Sequence, residues 1–171
     1  SKNVTARLKK FNQISSEVLY PPPPFSGRYY CGIFDNYILY PSRLDPKKRQ
    51  ELVIRSMKFV RPGLTLKIVG VGPNLDFLKS VAKEYGVENK VEFLGFIPEK
   101  ELLDLYANAL CVTYTPLDED LGFVTMEGVL SGKPVITCSD SGGSLEFVED
   151  EVTGYVVAPA PEKIGEAINK I

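Results

Sequence analysis

The chain has 171 residues, of which 44% are hydrophobic and 25% charged, with a net charge of −2. That is enough apolar material for the core of one globular domain, and it lacks the basic surface of a general nucleic-acid binder. Histidine is absent, which removes from this chain the commonest general base, any Ser-His-Asp triad and any histidine-ligated zinc.

The elements follow in chain order. "SKNVTARLKKF" reads as the tail of a helix, and without an apolar h-region behind it does not read as a signal peptide. "EVLYP" predicts a short strand and "PPPPFSG" an extended spacer, because consecutive prolines favour polyproline geometry. "NYILYPSR" predicts a strand. Asp45 then supplies an N-cap and Pro46 the first helical position of a helix running to about Val60. "LTLKIVGVG" predicts a strand, followed by a helix "NLDFLKSVAKEYG" closed by Gly86. "KVEFLG" and "EKELLDLYANA" give the next strand and helix, and "LCVTYTP" a further strand.

In "EDLGFVTMEGVLSGKPVI", the apolar side chains of Phe123, Val124, Met126, Val129 and Leu130 point almost all the way round a helix. That distribution predicts a short buried one. "KPVITC" is a strand, "SLEFVED" a helical turn and "GYVVA" a last strand before "PEKIGEAINKI", whose helical pattern stops part-way. The beginning and end together suggest a piece of a longer polypeptide. No apolar run approaches the roughly 20 residues of a membrane span. Cys31, Cys111 and Cys138, far apart and odd in number, read as small buried thiols of a reducing compartment.

Short apolar strands alternating with helices predict βαβ units. These build a Rossmann-like three-layer α/β sandwich with a doubly wound, mostly parallel sheet. Ligands of such folds sit outside the carboxyl ends of the strands, where several unusual residues of this chain fall. Arg43 ends one strand and Lys48 lies on the first turn of the next helix. Two cations there oppose the helix dipole, so they suit either an anion with two or more charges or a solvated basic cluster with Lys47 and Arg49. "GVGP" lacks the third glycine of a dinucleotide fingerprint, and "GVLSGKP" fails the Walker A spacing and has Pro134 where a hydroxyl should stand. The adjacent carboxylates of "DED", Asp118 to Asp120, cannot all converge on one cation. Glu119 enters the buried helix and Glu127 lies within it, and a buried carboxylate needs donors, either backbone groups or a pair of vicinal hydroxyls. The Gly142-Gly143 turn has the form of an anion nest.

Taken together, "EDLGFVTME" as E-x7-E, "GVLSGKPVI", "GG-x2-E-x-V" and "TGYVV" closely resemble family 4 glycosyltransferases of the GT-B fold. "PSRLDPKKRQELVIRSM", "LKIVGVGP" and "VEFLGFIPEKELLDLYANA" resemble further segments of that family, so the likeness covers essentially the whole chain. It implies a two-domain enzyme of which residues 1–24 are the tail of the acceptor domain and the hinge. Residues 25–171 would be the nucleotide-sugar-binding domain, truncated at its last helix.

The implied activity is retaining transfer of a hexose, with mannose first, from a GDP- or UDP-sugar to a glycan or lipid-linked acceptor. The acceptor would be held by the missing domain. The resemblance implies that Arg43 and Lys48 hold the diphosphate, with no metal or other cofactor required. Glu119 would lie beside the transferred sugar, and Glu127 would bind the ribose. Leu121, Gly122, Phe123 and Val124 would offer backbone N–H groups, and Phe96 and Ile97 would contact the base.

The chain departs from the family at "EDLG", where "EGFG" or "ESFG" is usual, and at Arg49, where glycine usually follows the lysine. A sugar-nucleotide epimerase of the same fold and a non-catalytic nucleotide-binding module are the rival readings. The full-length enzyme is expected in the cytoplasm, in peripheral contact with the membrane face.

Overall fold

A computed structural model describes residues 1–171. Six parallel strands lie in the order β3-β2-β1-β4-β5-β6: β1 (Tyr37–Pro41), β2 (Thr65–Val69), β3 (Val91–Gly95), β4 (Cys111–Thr113), β5 (Val135–Cys138) and β6 (Gly154–Val157). The helices are α1 (Lys2–Arg7), α2 (Gln50–Ser56), α3 (Leu75–Glu84), α4 (Glu99–Asn108), α5 (Phe123–Leu130) and α6 (Pro161–Lys170). Strand order and helix alternation make a doubly wound Rossmann-like sheet, as the sequence pattern predicts.

Every residue of β1 is buried, because β1 lies in the middle of the sheet with helices on both faces. Ile38 and Tyr40 join the core under α2, α3 and α6, whereas Tyr37 and Leu39 join the one under α4 and α5. That is the period-two alternation of a strand. Fully burying side chains such as Ile38, Leu39 and Leu66, each with no exposed area, contributes about 1.5–3 kcal/mol apiece. Cys111 and Cys138 are also buried, and burial pushes both thiols up to about 12. Cys31 is exposed instead, because it lies on the irregular segment before β1.

Three further expectations need correction. "EVLYP" forms no strand: the outer strands β3 and β6 pair only inward, so this segment has no ladder partner. Tyr20 instead packs edge-on against Phe147 at 5.3 Å.

The helix expected from Asp45 to Val60 is broken. Asp45 does cap Lys47 N at 3.0 Å with Pro46 following, but this opens a single 3₁₀ turn, Pro46–Lys48. Arg49 then turns left-handed, with φ 53°, before α2 begins.

The helix expected to be buried, α5, has only Thr125 and Gly128 fully covered, and Leu130 is 49% exposed. Its apolar outer face is simply not overlaid in this chain. Its inner face sits close on the sheet because residue 128 has no side chain. A Cβ there would lie 2.8 Å from Val135 Cγ2 and 3.2 Å from Val112.

No helix is long and apolar enough to cross a membrane.

Candidate functional site

After β3 the chain crosses over β1 to form β4, so the loops leaving β1 and β4 diverge and open a crevice at the carboxyl edge. A hollow of about 390 Å³ lies there, lined by Ser42, Arg43, Lys48, Tyr114 and the run Glu119 to Val124. Three of the charged residues singled out in the sequence, Arg43, Lys48 and Glu119, therefore share one cavity, and the first turn of α5 borders it.

Each is held differently. Arg43 is 72% exposed, and its guanidinium lies 3.6 Å from Asp45. Its carbonyl and the Ser42 hydroxyl both accept from the buried Gln50 amide, at 2.9 and 2.8 Å. Close approach of the neighbouring turn helps fix this exit. Gly70, with φ 127°, passes so near Ser42 O that a Cβ would meet it at 2.0 Å.

Lys48 is largely enclosed. Its ammonium contacts Glu119 Oε2 and donates to Tyr114 Oη at 3.0 Å, and Tyr114 Oη in turn donates to Glu119 Oε2 at 2.9 Å. Burial and the adjacent Glu119 carboxylate push the Tyr114 phenol far up, so it stays a neutral donor. Tyr40 fixes the backbone beneath: its hydroxyl donates to Lys48 O and accepts from Thr115 N at 3.0 Å. Tyr40 and Tyr114 were read from sequence only as strand residues. The one available signal was a phenol at the polar end of an apolar strand.

Glu127 stands apart. It does not line the hollow, and its carboxylate accepts a hydrogen bond from Tyr106 of α4. Tyr106 is edge-on to Tyr29 at 6.0 Å. Burial raises the Glu127 pKa, opposed by the hydrogen bond from Tyr106. This half-buried acid therefore has its partner inside the chain rather than in a ligand.

Phe96 is 82% exposed beyond β3, whereas Ile97 packs against the core beneath α4 and α5. The Gly142-Gly143 turn is not an open nest, because Gly143 N donates to Glu119 O at 2.7 Å. It serves instead to anchor the Glu119 loop.

On the other side, α1 lies against the same loop. Asn3 donates to Asp118 Oδ1 and Glu119 O, both at 2.9 Å, and Arg7 pairs with Asp118 and Asp120. Glu146 accepts from the N–H groups of Lys2 and Asn3 at 2.8 and 3.0 Å.

Residues 34–171 match the family model described as glycosyl transferases group 1. The chain belongs to that family. Among the relatives of this glycosyltransferase chain, an alpha-1,3/1,6-mannosyltransferase ALG2 of Dictyostelium discoideum is 45% identical over 98 residues, covering 57% of the chain and 23% of the relative. A GDP-mannose-dependent alpha-(1-6)-phosphatidylinositol monomannoside mannosyltransferase of Mycolicibacterium smegmatis is 39% identical over 126 residues, covering 68% of the chain and 33% of the relative. The Anabaena protein HepE, solved in complex with UDP-glucose, superposes with a TM-score of 0.74 at 31% identity over 80% of the chain and 38% of HepE. Sucrose-phosphate synthase of Thermosynechococcus elongatus, at 24% identity, shares the fold with a TM-score of 0.88, covering all of this chain and 47% of its own. The chain thus spans a quarter to a half of these proteins, and it has the Rossmann-like fold of one GT-B domain.

Proposed function

We propose that residues 25–171 are the donor-binding domain of a retaining hexosyltransferase, and that residues 1–24 are the hinge and the end of its acceptor domain. The observation that carries this reading is the sharing of one carboxyl-edge hollow by Arg43, Lys48 and Glu119 beside the start of α5. A nucleoside diphosphate brings two or more negative charges. In that hollow they would meet an exposed guanidinium and an enclosed ammonium, with the free N–H groups of the first turn of α5 nearby.

As the bond from the sugar to the phosphate breaks, charge gathers on the leaving diphosphate. Fixed cations stabilise that charge more than the ground state, and so lower the barrier. Arg43 and Lys48 would do this without a metal. Glu119, now paired with Lys48, would lie beside the sugar, and the departing phosphate would take the proton of the acceptor hydroxyl on the same face, giving retention. Leu121 to Val124 would donate backbone N–H groups to the sugar and phosphate. The ribose would use the acceptor positions that Tyr106 leaves free on Glu127, since an ionised carboxylate has about four. Phe96 and Ile97 would border the base.

Mannose from GDP-mannose is the donor favoured here, because the two relatives described by sequence are named mannosyltransferases. UDP-glucose is the second reading, favoured by the HepE complex at 31% identity.

Calorimetry of the chain against GDP, UDP and their mannose and glucose conjugates tests both. The guanosine compounds should bind more tightly. Arg43→Ala with Lys48→Ala should weaken the diphosphates about tenfold or more, and the nucleosides much less. No nucleotide binding at all would refute the proposal. With the full-length protein, a transferred sugar supports it, whereas a changed free sugar nucleotide marks an epimerase and no turnover a silent module. The isolated chain should transfer nothing, because the acceptor side of the cleft lies in the rest of the enzyme.

A further inference from the structure

Arg49 directly follows Lys48 and closes the 3₁₀ turn after β1. Its backbone is left-handed, φ 53°, a conformation that strains a non-glycine residue. That strain is met by an unusually complete set of bonds. Nε donates to Thr115 O at 2.8 Å and Nη2 to Pro116 O at 2.9 Å. Nη1 and Nη2 grip the two oxygens of Asp140 at 2.7 and 2.6 Å. The Arg49 side chain is 14% exposed and that of Asp140 36%, so the pair is only partly screened by solvent. It is a planar, bidentate contact, and two of the three remaining donors reach carbonyls. Arg49 in turn holds the Asp140 carboxyl below its ordinary range.

The clamp joins three loops at the carboxyl edge: the turn after β1 that bears Lys48, the loop after β4 that bears Glu119, and the loop after β5 that bears Asp140. The middle loop needs such support. Asp118 is itself left-handed, φ 46°, and Asp118, Glu119 and Asp120 place carboxylates on successive residues. Its backbone is sewn to the loops on either side: Leu117 N donates to Lys47 O at 2.8 Å, Asp118 N to Asp140 O at 3.0 Å and Glu119 N to Ser141 O at 3.2 Å. Arg49 spans the same three loops, bonding the β4 loop at Thr115 and Pro116 and the β5 loop at Asp140.

We propose that Arg49, through Asp140, is a positioning residue that sets the separation of Lys48 and Glu119 before any ligand arrives. Glycine at this position would relieve the turn but could not link the loops. The proposal rests on the donor-site reading only for what the Lys48–Glu119 pair would hold.

The test compares Arg49→Gly, Arg49→Lys and Asp140→Asn with the parent chain, using ligand-free amide exchange and binding of nucleoside di- and monophosphates. Arg49→Gly relaxes the backbone while deleting the clamp, and Asp140→Asn leaves residue 49 intact, so the three do not share one route to misfolding. The amides of Leu117, Asp118 and Glu119 should exchange at least about tenfold faster in each variant, while Ile38 and Leu66 in the sheet stay close to the parent rate. Diphosphate affinity should fall about tenfold and monophosphate affinity less than about threefold.

Exchange that rises uniformly, in step with a lower melting temperature, would overturn the proposal, as would equal losses for the two ligand classes. A parent chain that binds no nucleotide refutes the donor-site reading alone, and the exchange result then decides the role of Arg49.

Discussion

Glu119 and Glu127 stand eight residues apart in the sequence, yet their surroundings follow opposite physical logic. The loop around Glu119 is a polar lattice: an ammonium, a phenol and backbone links to two neighbouring loops fix the acid at the rim of a hollow. The helix contact around Glu127 is nearly apolar, with tyrosine hydroxyls as its polar company and no cation among its hydrogen-bond partners. A carboxylate held by a cation favours its charged form, whereas one held by burial favours its neutral form. Glu119 is therefore gripped by a cation at the rim of the hollow, and Glu127 is an acceptor that carries its charge reluctantly.

The largest expected effect breaks the first of these regions. In the full-length enzyme, Glu119→Ala should lower the rate of sugar transfer about 10²-fold or more, the scale of removing one group that stabilises a reacting centre. An initial rate close to that of the parent would detach Glu119 from the chemistry.

Next in size is a change beneath the second region. Gly128→Ala forces a methyl group into Val135 and Val112 and should destabilise the fold by about 1–3 kcal/mol, read by denaturant unfolding. It should also lift the helix that carries Glu127.

The smallest effect sharpens the contrast through pH. Burial raises the Glu127 pKa in the folded chain, so the folded state binds its proton more tightly than the unfolded state does. Stability then falls as pH rises from the ordinary carboxylate range through the raised value. Glu127→Gln removes that penalty: the variant should melt higher than the parent at about pH 7, with the gap closing toward about pH 4. Adding Tyr106→Phe to both proteins should widen the gap, because the charged acid loses its donor. Asp140 has the opposite sign. Its pKa is lowered by Arg49, so its stabilisation is complete above the ordinary carboxylate range and lost as pH falls through the lowered value.

The fold was legible because its strands are short apolar runs punctuated by glycine and proline, a local pattern that survives without partners. "EVLYP" has the same local pattern and misleads, since a strand exists only when it pairs, and this segment packs Tyr20 on Phe147 instead of reaching either open edge of the sheet. The turn at Arg49 was hidden for a related reason. Asp45-Pro46 signals a helix start correctly, but what stops the helix is a side chain reaching Thr115, Pro116 and Asp140, far along the chain. That Arg43, Lys48 and Glu119 gather at one edge follows from the rule for strand ends. That Tyr114 lies between Lys48 and Glu119, and that Tyr106 meets Glu127, are facts of packing between separate elements, and no spacing along the sequence encodes them.

The order of the sheet has a consequence for synthesis on the ribosome. Ile38 of β1 pairs with Leu66 on one side and with Cys111 on the other, so this fully buried central strand is made first of the six and has its second flank closed only when β4 emerges. At the usual pace of translation its open flank waits several seconds, on the order of one second per 5–20 residues, before β4 emerges. Over that interval the nascent chain displays an unpaired strand edge, the surface that makes folding intermediates prone to aggregate.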